Sequence, residues 1–245
     1  MNKFSDAYGH EILDFWNGKR SYEIIERDDG YIVLSGGPRP YFYGYKAWAL
    51  AEKKAIELAN GKVLDIGCGA GRVSLYLQQK GYEVVALDPS QLAVQVCKLR
   101  GVKNTVCGDV FDFDDLVTGP FDTIVMFGGN FGLLGTLRKA RSALAKLSKI
   151  TSDNAVILAS ANDPHLTRNI SNLEYQRRNK RLGKMPGQMR IRVRFDRYAT
   201  EWSDYLLASR SEMAKVLKGT GWIVDRFIAD DKSLDMYVGV IRKRH

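Results

Sequence analysis

Three glycines and three acids carry the chemistry this chain advertises. Gly67, Gly69 and Gly71 sit in VLDIGCGAGR (Val63 to Arg72), where an apolar run breaks into a turn that opens a helix. Glycine adds no side chain and adopts positive φ freely, so such a turn lets backbone approach a nucleotide-like ligand closely. A dinucleotide turn places glycine at its first, third and sixth positions, for the tight turn, the pyrophosphate and the packing of helix on strand. Here the glycines hold positions one, three and five, and Arg72 holds the sixth. Asp65, two residues before the first glycine, is an awkward guest for a core strand. Asp88 ends VVALDPS, 21 residues after Gly67, where a carboxylate can accept both hydroxyls of a ribose from either class of cofactor. Asp109, in CGDVFDFD, follows the next apolar run.

Strand ends must position these groups, and the pattern supplies them. Apolar runs at 62–66, 83–87, 104–107, 121–127 and 154–160 alternate with helix-compatible stretches, which predicts a parallel sheet covered by helices on both faces. SLYLQQKGY is an amphipathic helix closed by Gly81. SQLAVQVCKLRG is a second, capped by Ser90 and stopped by Gly101, and LRKARSALAKLSKI a third. Ser209 and Glu212 have capping-box spacing and open a helix that runs to the GTG at 219–221. WIVDRFI and LDMYVGVIR then follow as strands whose short connection requires them to be antiparallel. Ahead of the core, residues 1–60 read as a helix (HEILDFW), a hairpin through Asp29-Gly30, an aromatic loop (PRPYFYGY) and a helix ending at Asn60-Gly61.

Composition sets limits on partners and compartment. A chain of 245 residues that is 45% hydrophobic forms one domain with additions. It lacks an apolar run near the roughly 20 residues of a membrane span, and its first residues have neither a basic leader nor an apolar secretion core, so a soluble cytoplasmic protein without membrane contact is expected. Cys68, Cys97 and Cys107 are odd in number and lack CxxC spacing, which suggests neither a disulfide framework nor a metal site. The formal charge of +9 is concentrated: residues 163–200 hold ten Lys and Arg against three acids, one electropositive segment suited to an anionic substrate or nucleic acid.

The plan resembles the class I S-adenosylmethionine-dependent methyltransferases over about residues 61–162 and 209–245. These have a Rossmann-like α/β fold whose mostly parallel seven-stranded sheet ends in an antiparallel hairpin. The resemblance implies S-adenosylmethionine as cofactor and S-adenosylhomocysteine as product. It places Asp65 beside the methionine end of the cofactor, Asp88 on the ribose, Asp109 on the adenine amino group and Val110 along the ring. Gly67, Cys68, Gly69, Gly71, Arg72, Pro89, Ser90, Gly108, Phe127 and Gly128 complete the implied cofactor site. Residues 1–60 become a cap over the cofactor mouth, and 61–245 a methyltransferase domain with an insertion at 163–208. N-F-G-L-L-G and M-P-G-Q also liken the whole chain to standalone bacterial and archaeal methyltransferases of unassigned substrate, a likeness that leaves an activator subunit open.

The acceptor is narrowed by what is missing. VMFGGNFGLLG lacks the N/D-P-P-Y/F turn that grips a planar nitrogen, and no cysteine stands where carbon-5 cytosine chemistry needs its nucleophile. That leaves an oxygen, nitrogen or sulfur nucleophile, on a small, anionic metabolite in the preferred reading. RNA gripped by the basic insertion is the second reading, and a non-catalytic nucleotide or cofactor binder the third. His165, just beyond the fifth apolar run, and Asn130 are the candidate catalytic groups. Tyr41, Tyr43, Asn130 and Phe131 are expected to line the acceptor site. In MRIRVRF the alternation puts Arg190, Arg192 and Arg194 on one strand face, where at least one is expected to hold an acidic group of the acceptor.

Overall fold

The computed structural model describes residues 5–113, 115–231 and 233–244; Asp114 and His245 lie outside them. In chain order the elements are α1 (Ala7–Trp16), β1 (Ile24–Arg27), β2 (Ile32–Leu34), α2 (Leu50–Ile56), β3 (Lys62–Ile66), α3 (Arg72–Gln79), β4 (Glu83–Asp88), α4 (Gln91–Leu99), β5 (Thr105–Cys107) and β6 (Phe121–Met126). Then come α5 (Leu137–Lys149), β7 (Thr151–Asn162), α6 (Ile170–Arg181), β8 (Gln188–Phe195), β9 (Tyr198–Ala199), β10 (Ser203–Leu206), α7 (Arg210–Leu217), β11 (Trp222–Ala229) and β12 (Met236–Lys243).

The main sheet has the order β11-β12-β7-β6-β3-β4-β5. β5, β4, β3, β6 and β7 pair in parallel, while β12 runs antiparallel to both β7 and β11. This is the seven-stranded, mostly parallel Rossmann-like arrangement with a terminal antiparallel hairpin. Strands buried on both faces read as continuous apolar runs, which is why they were visible in the sequence. Two apolar clusters cover the faces. One packs Leu64, Phe121, Ile124, Leu144, Trp222 and Tyr237 together; the other packs Trp48, Val63, Leu77, Val125 and Phe127. Helix caps fall where the side chains call for them: Ser90 Oγ accepts from Ala93 N at α4, and Ser209 and Glu212 form the full capping box of α7.

A second, antiparallel sheet is built from two segments far apart in sequence. β1 pairs with β2 through the turn at Gly30, and it pairs with β8, whose other side carries β10 and the short β9. The leading segment and the insertion therefore form one sheet, and β8 lies in its interior rather than at an edge. α1 lies against α4 and β8. Asp6 joins this cap to the main sheet by accepting from Gly9 N, Ser90 Oγ and Leu92 N.

Candidate active site

The glycine turn connects β3 to α3 with positive φ at all three glycines, +70° at Gly67, +54° at Gly69 and +78° at Gly71. Gly67 N and Cys68 N both donate to Leu87 O, at 2.8 and 3.1 Å, which pins the turn to β4. A methyl group on Gly67 would stand 2.5 Å from Asn130 Nδ2, and one on Gly71 2.8 Å from Val102. Only Gly69 meets the cap: its methyl would stand 2.8 Å from the Tyr8 hydroxyl, with the Tyr41 ring next nearest.

Asp88 ends β4 beside this turn. Its Oδ2 accepts from Gly69 N and its Oδ1 from Ser90 N, each at 2.9 Å, so each oxygen keeps lone-pair capacity for one more donor. Burial pushes its carboxyl up to about 6, against the pull of those two N–H groups. Asp65 accepts from Ser74 Oγ at 2.6 Å, and burial pushes it up to about 6 as well, with Arg72 acting in the opposite direction. Arg72 pairs with Glu52 at 2.8 Å and lies 4.9 Å from the Trp48 ring. The other Glu52 oxygen accepts from Gly128 N at 2.8 Å. One cationic and one anionic side chain thus share the mouth of the turn. Asp109 is exposed, and its Oδ1 accepts from Phe111 N, which leaves its second oxygen to accept from a ligand.

The cap and the insertion close the opposite side. Tyr8 and Tyr41 meet edge to face with centroids 5.1 Å apart. The Tyr41 hydroxyl donates to one oxygen of Glu23 at 3.0 Å, and the Ser35 hydroxyl donates to the other. From β10, the Tyr205 hydroxyl donates to Gly129 O at 2.7 Å while its ring covers Gly132, where a methyl would stand 2.3 Å from Cζ. Burial pushes the Tyr205 phenol up to about 12.

Several expected roles change. Asn130 uses its amide nitrogen on two backbone carbonyls, Ile66 O at 2.9 Å and Gly67 O at 2.8 Å, so it positions the glycine turn. Phe131 is fully buried in the core, and the side chains of Phe127 and Val110 are buried there too. Cys68 is buried, with its Sγ 3.7 Å from that of Cys97. His165 is exposed and engages Glu212, the capping acid of α7, at 3.2 Å. Tyr43 is exposed, and its carbonyl takes the Trp48 indole N–H.

The three arginines are the largest correction. Register places Arg190, Arg192 and Arg194 on the sheet face shared with Glu26 and Asp204, while Glu23 and Tyr205 belong to the other face. Arg192 makes a two-pronged contact with Glu26 at 2.9 and 3.0 Å, Arg194 reaches Glu26 at 3.0 Å, and Arg190 lies 3.9 Å from Asp204. The alternation identified one strand face correctly, but nothing local could say which face the neighbouring β1 turns toward the crevice. Glu11, Glu23, Glu52, Tyr8 and Tyr205 carry no motif; the one sequence signal for the three glutamates is an acid among apolar neighbours, and the two tyrosines have none.

A family model described as a methyltransferase domain matches residues 63–154. Among curated proteins, a tRNA (uracil(54)-C(5))-methyltransferase of Pyrococcus horikoshii is 29% identical over 177 residues, 70% of this chain and 40% of that protein. A ubiquinone biosynthesis O-methyltransferase of Xanthomonas oryzae pv. oryzae is 36% identical over 74 residues, 28% of this chain and 31% of that protein. The chain thus spans two fifths or less of these relatives. Among solved structures, a methyltransferase from Bacteroides fragilis bound to S-adenosyl-L-homocysteine superposes with a TM-score of 0.84 at 24% identity, covering 100% of this chain and 98% of that one. The CcbJ methyltransferase of Streptomyces caelestis follows at 0.66 and 14% identity, covering 98% of both chains. At these identities the superpositions establish the fold.

Proposed function

We infer that this chain is a class I S-adenosylmethionine-dependent methyltransferase, which binds S-adenosylmethionine in the crevice at the glycine turn and transfers its methyl group to a small molecule. The observation that carries this reading is Asp88: a buried carboxylate at the end of β4 whose two oxygens each hold one backbone N–H and each keep room for one ribose hydroxyl. The remaining residues fit the same molecule. Arg72 and Asp65 offer opposite charges to a methionine carboxylate and ammonium. Asp109 offers an acceptor to the adenine amine, beside the exposed Leu116 packed on Gly108.

When bound, the cofactor supplies an electrophilic methyl on a sulfonium. The protein's part is to align a nucleophile with it and exclude water, a contribution of ~7 to 11 kcal/mol when orientation is good. Here the parts that align are held together: Asn130 locks the loop after β6 to the glycine turn, and Glu52 joins Arg72 to Gly128. The roof made by α1, β1 and β10 keeps bulk water away.

A small acceptor suits a crevice roofed on both sides. Its expected anionic character loses support, because the arginines that argued for it face away. The RNA reading rests on α6, whose Arg177, Arg178, Lys180 and Arg181 are exposed. The similarity to a tRNA uracil C5-methyltransferase does not strengthen it: that chemistry needs a thiolate at the acceptor, whereas Cys68 and Cys97 are buried against the glycine turn, with the Cys68 thiol pushed up by its neighbour Cys97 and by burial, and the thiol of Cys107, exposed at the end of β5, is pushed up by desolvation.

The test is transfer of a labelled methyl group from S-adenosylmethionine into two fractions of a cell extract. The small-molecule reading expects label in the low-molecular-weight filtrate of the extract and none in RNA. Label in RNA, with binding that weakens steeply as salt rises, would reverse that choice.

A further inference from the structure

Between the start of α5, one side of α7 and the M-P-G-Q stretch, Met185 to Gln188, lies a cleft of about 300 Å³ whose lining includes no residue of the glycine turn. Its apolar part is made by the buried Met185 and the half-buried Leu137 and Pro186. Three cations belong to it, each from a different element: Arg138 from α5, Lys184 from the turn after α6 and Lys215 from α7. All three are exposed, and none has an ion pair, a side-chain hydrogen bond or a ring contact among the described residues.

Neighbouring cations are used differently. Lys139 pairs with Asp204 at 2.8 Å, and Arg141 donates to Lys215 O at 3.1 Å and to Val216 O at 3.4 Å, which fixes α5 to α7. Glu212 is the one acid among the described lining residues, and it is engaged: one oxygen accepts from Ser209 N and the other meets His165 at 3.2 Å. Three cations against one engaged acid give the cleft a positive potential that favours an anion. The facing wall is braced without any ligand. The buried Asn179 side chain, on α6, donates to Pro186 O at 3.0 Å and Gln188 O at 2.7 Å, and Gln188 N closes the turn on Met185 O at 3.1 Å. Gly187 O accepts from Leu207 N at 2.9 Å, and a methyl on Gly187 would collide with Leu207 O, so the turn packs directly on the chain after β10. Walls fixed beforehand leave little to order when a ligand arrives.

We propose that this cleft is a second ligand site and that it receives the phosphate group of a small organic molecule. Arg138 forks onto two phosphate oxygens, Lys184 and Lys215 act as point charges on the rest, and the carbon skeleton lies on Leu137, Met185 and Pro186. A phosphate monoester carries about −1.5 to −2 at pH 7, which matches the net charge of the three cations and Glu212; a carboxylate would leave half of that charge unopposed. The volume is that of a small-molecule pocket and too small for a macromolecular interface. No step of methyl transfer is involved, so the proposal goes beyond the methyltransferase reading and does not depend on it.

The experiment titrates the full chain by calorimetry with inorganic phosphate, with phenyl, glycerol and glucose phosphates, and with phenol, glycerol, glucose and benzoate, each with and without S-adenosylhomocysteine. Phenyl phosphate is expected to bind at least tenfold tighter than phenol and benzoate, and several-fold tighter than inorganic phosphate because it also covers the apolar residues. Arg138→Gln and Lys215→Gln should each weaken phenyl phosphate at least threefold, and the triple variant with Lys184→Gln at least thirtyfold, with S-adenosylhomocysteine affinity and melting temperature unchanged. Replacing Arg177 and Arg181, cations of α6 outside the cleft, with glutamine should leave phenyl phosphate binding as it is. No binding of any phosphate, equal affinity for phenol or benzoate, or an affinity unchanged in the triple variant would each overturn the proposal. So would an equal loss in the Arg177 and Arg181 variant, or displacement of phenyl phosphate by an oligoribonucleotide that binds with steep salt dependence, which would assign these cations to a polyanion surface. Phosphate binding by protein that fails to bind S-adenosylhomocysteine would uphold this site while overturning the methyltransferase reading.

Discussion

Asn130 donates to the carbonyl oxygen of Gly67 at 2.8 Å, and from the same nitrogen to Ile66 at 2.9 Å, so the loop that follows β6 is tied to the turn that follows β3. These are adjacent strands of the sheet, and an open parallel sheet binds its ligand outside their carboxyl ends. One side chain thus sets the spacing between the two loops that must share a cofactor.

Asn130→Ala should therefore weaken S-adenosylmethionine binding about tenfold and cost about 1 to 3 kcal/mol of stability, the range for leaving buried acceptors unpaired. Asn130→Asp should be worse than alanine, because a carboxylate cannot donate and faces two carbonyl oxygens. Calorimetry and denaturant melts read both. Full affinity in Asn130→Asp would mean that the turn holds its shape unaided.

Gly69→Ala combines two penalties, a positive φ of +54° and a methyl 2.8 Å from the Tyr8 hydroxyl. Only the second can be relieved elsewhere. Cofactor affinity should fall at least tenfold in Gly69→Ala and recover in part, by a few-fold, in the double variant with Tyr8→Phe. Equal affinities in single and double variants would show that Tyr8 does not press on the turn.

The two buried aspartates give the ligand-free protein a pH signature. Asp65 and Asp88 are both raised from 3.8 to about 6 by burial. A carboxyl that binds protons more tightly folded than unfolded stabilises the fold fully below about pH 4, and that contribution is lost as pH rises through about 6, up to about 3 kcal/mol for each. Glu26, Asp29, Asp122 and Asp235 are shifted the other way, so their contributions change at and below the usual carboxylate range. The buried Glu11 carboxyl, also pushed up, acts in the same direction, so the protein should melt lower at pH 7.5 than at pH 5, and Asp65→Asn should remove a part of that slope. A melting temperature that rises between those pH values would contradict the burial of these acids.

The arginine strand should be separable from the reaction. Replacing Arg190, Arg192 and Arg194 together with glutamine removes partly exposed ion pairs to Glu26 and Asp204, worth about 1 kcal/mol or less apiece. Cofactor binding and turnover should stay within about twofold of the wild type. Loss of turnover with intact cofactor binding would return these residues to the acceptor site.

Much of the main sheet was legible because its strands are buried on both sides and announce themselves as apolar runs, with Gly81, Gly101 and Ser209-Glu212 marking helix ends. The cofactor side was legible for the same reason: Asp65 and Asp88 interrupt or end such runs. The roof was not. β1 pairs with β8 across a separation no local pattern encodes, and only that pairing decides that Glu23 and Tyr205 face the crevice while the arginines face out. Asn130 and Phe131 show the limit in miniature: adjacent residues in one motif, of which one holds the glycine turn and the other is core.

The central claim is that the crevice between the glycine turn and Asp88 is an S-adenosylmethionine site, and calorimetric titration of the wild type and of Asp88→Ala tests it most directly. The account predicts binding of both S-adenosylmethionine and S-adenosylhomocysteine to the wild type, no binding of NAD, and a loss of about 1.5 to 3 kcal/mol, roughly ten- to a hundredfold, in a folded Asp88→Ala. NAD binding without S-adenosylmethionine binding, or an affinity unchanged in the folded variant, would contradict it.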